Sequence, residues 1–377
     1  LQLRTSIDEI DSQITDLIIK RMQLVGEIAK YKAKHNLPVY DPQRERQKLA
    51  DIAVRVGDDM AQVTDSLFSV IFALSRSHQN AIISGDSPLK QMIHNAIVNT
   101  NPQFPTRPLV ACQGVEGAYS QIACERIFPF GNIMYFNSFE SVFSAVKQGL
   151  CRYGILPIEN STAGSVSRIY DLMMEHDFYI VRSCRVKVDH CLLAKRGTKL
   201  ENIREIISHE QAIAQCQGFL KNLKNVKITT CENTAEAALM VAKSGRDDIA
   251  ALSSHNCAEL YRLECLKRSV QDKGSNYTRF ICISKKLEIY PGANRTSLMI
   301  VLPNRCGSLY HALSRFYALG INLIKLESRP LANADFEFMF YFDLDTSVYS
   351  DNFLRLFDDL EGAVTSLKYL GSYTEIV

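Results

Sequence analysis

The sequence predicts a multi-domain chain: an all-α segment over residues 1–90, a linker at 91–106, an α/β domain over 107–286 and an α+β, ferredoxin-like unit over 296–373. Three observations carry that expectation. At 377 residues the chain is longer than a single hydrophobic core usually serves. Apolar residues keep helical spacing as far as residue 83, and after Pro108 short β-rich runs alternate with amphipathic helices. Beyond the Pro291-Gly292 break the order becomes β-α-β-β-α-β, the split arrangement of a ferredoxin-like fold.

The first helix is read from Leu3 to about His35, with Ile7, Ile10, Ile14, Leu17, Leu24, Ile28 and Tyr31 at helical spacing and no proline. A rod of about 50 Å is too long to bury its seam within so small a domain, which implies a second chain. Asp41-Pro42 reads as an N-cap and first helical residue, opening a helix to about Val56. A third helix runs from about Met60 to Ile83, and residues 84 to 108 read as a partly helical linker with Gly85 and four prolines.

Strands of the α/β domain are expected at Leu109 to Cys112, Ile133 to Phe136, Tyr153 to Ile158, Glu205 to Ile207, Lys227 to Thr230, Ile249 to Leu252 and Arg279 to Ser284. In the last unit strands are expected at Ser297 to Leu302, Ile321 to Leu326, Glu337 to Leu344 and Val364 to Leu370. Its helices are expected at Leu309 to Tyr317 and Asn352 to Leu360.

Composition narrows the function classes. Hydrophobic content of 46% with 22% charged residues is that of an ordinary globular protein. Lys plus Arg number 43 against 41 Asp plus Glu, so no overall positive field exists to hold nucleic acid or an anionic membrane. No run of ~18 apolar residues and no charged-then-apolar leader occurs, so neither a membrane span nor an export signal is expected. Eleven cysteines are scattered without a C-x-x-C pair, which fits reduced thiols in a cytoplasm and no metal.

In the helical segment the cations are placed for an anion. Arg21 and Lys32 return to nearly one helix face about 16.5 Å apart and can converge on one small ligand. Arg4 lies about 25 Å before Arg21, so it can serve only a partner's site. Asp41, Arg44 and Glu45 share a turn, and Ser75 and Gln79 are an i,i+4 pair. Asp41 can equally be a plain helix cap, and Glu45 part of a solvated charged face. Acidic and basic residues are equal in number over residues 1–90, which argues against a helical DNA-binding module.

This set, Arg4, Arg21, Lys32, Asp41-x-x-Arg44-Glu45-Arg46 and Ser75-x-x-x-Gln79, resembles the all-helical chorismate mutase family over nearly all of residues 1–83. The resemblance implies an intertwined dimer in which Arg4 of the other subunit and Arg21 hold the two carboxylates of chorismate. Lys32 and Gln79 would donate to the breaking ether oxygen, and Asp41, Glu45 and Ser75 would fix orientation. A pericyclic step needs no base or nucleophile, only a preorganised charged mould.

In the α/β segment polar clusters stand at strand ends, where such folds place ligands. They are Gly114-x-x-Gly117-Ala118-Tyr119-Ser120, Glu159-Asn160-Ser161-Thr162-x-Gly164-Ser165 and Ser208-His209-Glu210-Gln211-Ala212, with Ser208 read as an N-cap. Asn276-Tyr277-Thr278-Arg279-Phe280 enters the closing strand, and Thr278 and Arg279 should leave it on opposite faces. Each has an ordinary explanation as a turn or a strand residue. With Asp189-His190-Cys191-Leu192, in this order, they resemble the prephenate dehydratase family over residues 109–285. Gln113-Gly114-Val115-Glu116-Gly117-Ala118 departs from the family's usual Gly-Pro-x-Gly-Ser/Thr.

That resemblance implies two α/β lobes, like those of periplasmic binding proteins, with prephenate in the cleft. Prephenate loses its ring carboxylate as CO₂ and its hydroxyl as water, so a proton donor is needed at the hydroxyl. The resemblance gives that place to Thr278. It gives carboxylate balance to Arg279 and substrate contacts to Asn160, Ser161, Thr162 and Ser208.

Cys306-Gly307-Ser308-Leu309 and Asn322 through Leu326-Glu327-Ser328-Arg329-Pro330 resemble the ACT domain of the same dehydratases. The resemblance implies paired domains binding L-phenylalanine through Gly307, Ser308, Leu309, Asn322, Glu327, Ser328 and Arg329, with feedback inhibition as the outcome. The implied ligands are therefore chorismate, prephenate and L-phenylalanine, with no cofactor, in a homodimer or homotetramer. A solute-binding regulator is the competing class, and it leaves Thr278-Arg279-Phe280 without a purpose. Within enzymes arogenate could replace prephenate, though an attached mutase supplies prephenate.

Overall fold

The computed structural model describes residues 2–83, 87–305, 307–331, 337–360 and 363–377. Gly85 and Cys306, both singled out above, lie outside the described residues. The chain divides into two compact units, Leu1–Asn95 with Asn294–Tyr369, and Ala96–Ala293 with Leu370–Val377.

The helical segment contains α1 (Gln2–Lys34), α2 (Pro42–Val56), α3 (Asp58–Ile83) and α4 (Pro88–Asn99). Asp41 caps α2 by accepting from the Arg44 backbone NH at 2.9 Å, with Pro42 in the first turn. Asp58 and Asp59 start α3 two residues before the expected Met60, where carboxylates favour a helix N-terminus. Much of the expected linker is the ordered helix α4, whose Lys90 pairs with Asp358 at 2.6 Å. Along α1 only Val25 and Ala29 are buried, while Leu3, Ile7, Ile10, Ile14, Leu17 and Leu24 remain exposed.

The α/β unit begins with β1 (Leu109–Gln113), α5 (Tyr119–Ile127), β2 (Asn132–Phe136), α6 (Phe139–Gln148), β3 (Tyr153–Asn160), β4 (Gly164–Ser165), α7 (Ser167–Glu175) and β5 (Tyr179–Lys187). The chain then crosses into a second lobe: β6 (Cys191–Ala194), β7 (Glu205–Ser208), α8 (Glu210–Gln215), α9 (Gln217–Lys221), β8 (Lys227–Thr230), α10 (Thr234–Lys243), β9 (Ile249–Ser253), α11 (Asn256–Leu260) and β10 (Glu264–Lys267). It returns through β11 (Tyr277–Ser284).

In the first lobe the strands run β5-β11-β3-β1-β2, with β1 parallel to both neighbours and β11 antiparallel to both of its own. The second lobe has its own sheet, β10-β6-β9-β7-β8. Each sheet has a separate core, around Val110, Tyr153 and Phe280 in one and Leu193, Ala251 and Leu252 in the other. Two chain crossings, at 188–190 and 268–276, therefore lie between the lobes, and the polar clusters gather there.

The remaining elements are β12 (Arg295–Val301), α12 (Ser308–Ala318), β13 (Asn322–Pro330), β14 (Phe338–Asp345), α13 (Asp351–Leu360) and β15 (Ser366–Ile376). Their sheet order, β13-β14-β12-β15, and the two helices give the expected ferredoxin-like arrangement. The last strand runs six residues past the expected Leu370, and its end, Thr374–Ile376, pairs in parallel with β5.

Candidate functional site

The site at the lobe junction is assembled by hydrogen bonds around one amide. Asn160 ends β3, and Thr278 faces it in register on β11. Asn160 Oδ1 accepts from the Thr162 and Ala163 backbone NH groups at 3.0 and 2.9 Å, which fixes the turn after β3 and the orientation of the amide. Its Nδ2 then donates to Asn276 Oδ1 at 2.7 Å and to Thr278 Oγ1 at 3.0 Å. Since Thr278 accepts in that bond, its own hydroxyl proton is not consumed by it.

The network continues into the second lobe. Asn276 Nδ2 donates to Gln215 Oε1 at 3.0 Å, and His190 Nε2 lies 3.0 Å from the same oxygen, which requires the Nε2–H form of the ring. Burial lowers the His190 pKa against the opposing hydrogen bond to Gln215, so the imidazole is neutral near pH 7. Tyr119 donates to the Asp189 carbonyl at 2.8 Å, and burial holds its phenol well above the usual range.

Beside this network is a cavity of about 230 Å³, lined by Thr162, Gln215, Gln271, Asp272, Lys273 and Asn276 among others. Asp272 is engaged by the Gly218 backbone NH at 2.8 Å, so Lys273 is the lining cation available to an anionic ligand. Lys273 and Gln215 were not expected from the sequence. The only signal was their position, one just before Asn276 and one at the end of α8.

Gly117 closes the first loop against the second lobe. At φ +92° it occupies a region that favours glycine, and a Cβ there would lie 2.7 Å from Cys257 Sγ. The departure of this loop from the family pattern thus leaves that close approach intact.

Three expectations change. Ser208 does not cap α8: it is fully buried and donates to the Leu252 carbonyl at 2.7 Å, while the His209 side chain caps α8 by accepting from Gln211 NH. Ser161 is spent on the backbone, bonding Tyr277 NH at 2.9 Å and Ser275 O at 3.3 Å. Arg279 leaves β11 on the face opposite Thr278, as expected, but is 5% exposed and committed to Glu159 and Glu375.

In the helical segment Arg21 on α1 donates to Ser75 Oγ on α3, and burial lowers its pKa. Lys32 donates to the Val39 carbonyl at 2.7 Å; burial lowers its pKa, opposed by Asp41 and Glu45. Glu45 pairs with Arg76. Gln79 is buried with its Oε1 lacking a hydrogen-bond partner, an acceptor left open. Arg4 is exposed far along α1 from this group. A larger cavity of about 880 Å³ takes in Glu45, Arg46, Arg76, His311 and Arg315. Of the expected chorismate residues it takes in Glu45 but none of Arg21, Lys32, Ser75 and Gln79.

In the last unit Gly307, at φ +79°, starts α12, with Ser308 and Leu309 in its first turn. Exposure alternates along β13, so Asn322 and Ser328 are exposed while Glu327 and Arg329 are half-buried. Among the described residues, ligand atoms of Cys191, His255 and Cys265 lie within 4.8 Å of one another. Burial pushes the Cys191 thiol up to about 12, which keeps it protonated. No helix among the described residues is long and apolar enough to cross a membrane.

Comparison with known proteins adds to this geometry. Residues 110–288 match the prephenate dehydratase family and residues 3–80 the chorismate mutase type II family. A bifunctional chorismate mutase/prephenate dehydratase of Aquifex aeolicus is 30% identical over 376 residues, covering 99% of this chain and 97% of that one. Arogenate dehydratase/prephenate dehydratase 2 of Arabidopsis thaliana is 34% identical over 333 residues, covering 81% and 87%. The crystal structure of prephenate dehydratase in complex with L-Phe from Arthrobacter aurescens superposes with a TM-score of 0.65 at 25% identity, over 71% of this chain and 89% of that one.

Proposed function

Because this chain belongs to the bifunctional chorismate mutase/prephenate dehydratase family, we propose that its two reactions run at the Arg21–Gln79 and Asn160–Thr278 sites, under feedback from L-phenylalanine. The observation that carries the dehydratase assignment is the Asn160 amide, which joins Thr278 to Asn276 beside the cavity holding Lys273. Asn160 feeds a hydrogen bond into Thr278 and leaves the threonine proton for the departing hydroxyl of prephenate. Lys273 meets a substrate carboxylate, and the neutral His190–Gln215 pair keeps the amide chain oriented. Loss of CO₂ supplies the electron pair that expels water and completes the aromatic ring.

For the mutase, Arg21 and Lys32 supply charge, and Gln79 keeps an open acceptor or, after amide rotation, a donor. The second carboxylate needs a further cation, which Arg4 of a second copy provides. The apolar exposure of α1 supports a homodimer, or a tetramer built from dimers, because each buried Leu or Ile contributes about 1.5–3 kcal/mol. L-phenylalanine is assigned to the turn at Gly307, Ser308 and Leu309 with Asn322 and Glu327 to Arg329, and acts by preferring a less active state. Prephenate is preferred to arogenate as substrate because the same chain makes it.

The test is Thr278→Ala supplied with chorismate. Chorismate should be consumed and prephenate should accumulate; phenylpyruvate formed at the wild-type rate would refute the assignment. Adding L-phenylalanine to the wild-type protein should lower phenylpyruvate formation, and an unchanged rate at saturation would remove the regulatory part.

A further inference from the structure

We propose that Tyr373 and Glu375, in the last strand of the chain, are positioning residues for dehydration, acting through Arg279 on the strand pair that carries Asn160 and Thr278. The inference rests on the reading of Thr278 as the reacting centre. Thr278 and Asn160 are cross-strand partners on β11 and β3, and so are the adjacent Arg279 and Glu159. One face of this pair makes the Asn160–Thr278 hydrogen bond; the other makes an ion pair, Arg279 Nη1 to Glu159 Oε1 at 3.1 Å.

The chain end completes the second face. Glu375 Oε1 lies 3.2 Å from Arg279 Nε, and Arg279 Nη2 donates to the Tyr373 hydroxyl at 3.0 Å. The other oxygen of Glu375 takes Arg185 Nη2 of β5 at 2.9 Å. Two guanidinium groups thus meet two carboxylates, and side chains of Arg279 and Glu375 are only 5% and 7% exposed. A buried pair of this kind is costly to break from one side, since the remaining charge keeps its desolvation penalty.

The tail is built in rather than frayed. Thr374, Glu375 and Ile376 pair with Arg182, Ser183 and Cys184 of β5. Gly371 turns the chain into that position at φ +131°, where a Cβ would lie 2.4 Å from the Ile180 carbonyl oxygen. A β-bulge falls at Arg279/Phe280, one residue past Thr278, where register is least protected by the ladder itself. The guanidinium clamp holds that register, and with it the distance between Asn160 and Thr278.

The experiment uses the full-length protein with Glu375→Gln and Tyr373→Phe, which remove a charge and a hydroxyl with little change of volume. Prephenate turnover should fall about tenfold in kcat for Glu375→Gln, within the range for a misplacement of up to ~1 Å. It should fall less for Tyr373→Phe. KM for prephenate should stay within about twofold, because the clamp does not touch substrate. Chorismate turnover should be unchanged.

In an Arg279→Lys background Glu375→Gln should add little, since both act through one contact. Unchanged kcat, a rise in KM alone, additive effects with Arg279→Lys, or parallel loss of both activities would each overturn the proposal. Thr278→Ala assayed alongside separates the two readings. If Thr278→Ala stays active, the assignment of Thr278 is wrong and the clamp falls with it; if Thr278→Ala is inactive while Glu375→Gln keeps full kcat, the clamp alone is wrong.

Discussion

The helical and α/β segments solve one problem, holding a small dianion, in opposite ways. In the α/β unit residues from β3, β11, α8 and the second crossing close a network within one chain, ending on Thr278. In the helical segment one chain leaves Gln79 Oε1 buried without a partner, Arg4 far from Arg21, and the seam of α1 exposed. Short strands joined by turns bring distant residues together, whereas a straight helix of 33 residues cannot fold back on itself.

The largest effect that could break this contrast is Thr278→Ala, expected to slow phenylpyruvate formation by a factor on the order of 10²–10⁴ with chorismate turnover intact. Lys32→Ala is expected to cost the mutase on the order of 10²-fold, comparable to loss of one transition-state hydrogen-bond donor, and to leave prephenate turnover alone. Full mutase activity in that variant would remove Lys32 from the site.

Mixing chains sharpens the contrast further. Arg4→Ala and Arg21→Ala homodimers should each be weak mutases, and exchange of subunits should restore about a quarter of the wild-type rate, because half the dimers are mixed and one of their two sites is intact. No recovery would place Arg4 and Arg21 in one chain's site. The smallest effect concerns pH. His190 has a folded-state pKa below its unfolded value of about 6.5, so stability is full above that pH and is lost as the unfolded chain takes up the proton below it. Melting curves between pH 7 and 5 should show that loss in the α/β unit, and His190→Asn should flatten it.

Much of this was legible in the sequence because local rules agreed. Asp41-Pro42 marked the start of α2 correctly, and the expected strands began within two residues of their places, while β13 and β15 ran four and six residues past their expected ends. The missed strands have physical reasons. β5 carries Arg182, Ser183 and Arg185 and breaks the apolar pattern, and β10 has only Cys265 and Leu266 between Glu264 and Lys267. Ser208 misled because a strand-end serine can turn inward to a neighbouring carbonyl, and His209 took the cap one residue later. Arg279 was placed on the right face, but its partners Tyr373 and Glu375 lie about a hundred residues away, where no local pattern reaches. Lys273 and Gln215 needed the cleft itself to be seen as neighbours.

Gly371 carries a consequence for inheritance. A substitution to alanine adds one carbon, yet that carbon has nowhere to go beside the Ile180 carbonyl. A lineage bearing it would be expected to keep making prephenate while failing to convert it, and so to require phenylalanine in its food while sparing every other product of chorismate. On the proposed clamp, two reactions on one polypeptide would be uncoupled genetically by a single methyl group at a position outside both proposed sites.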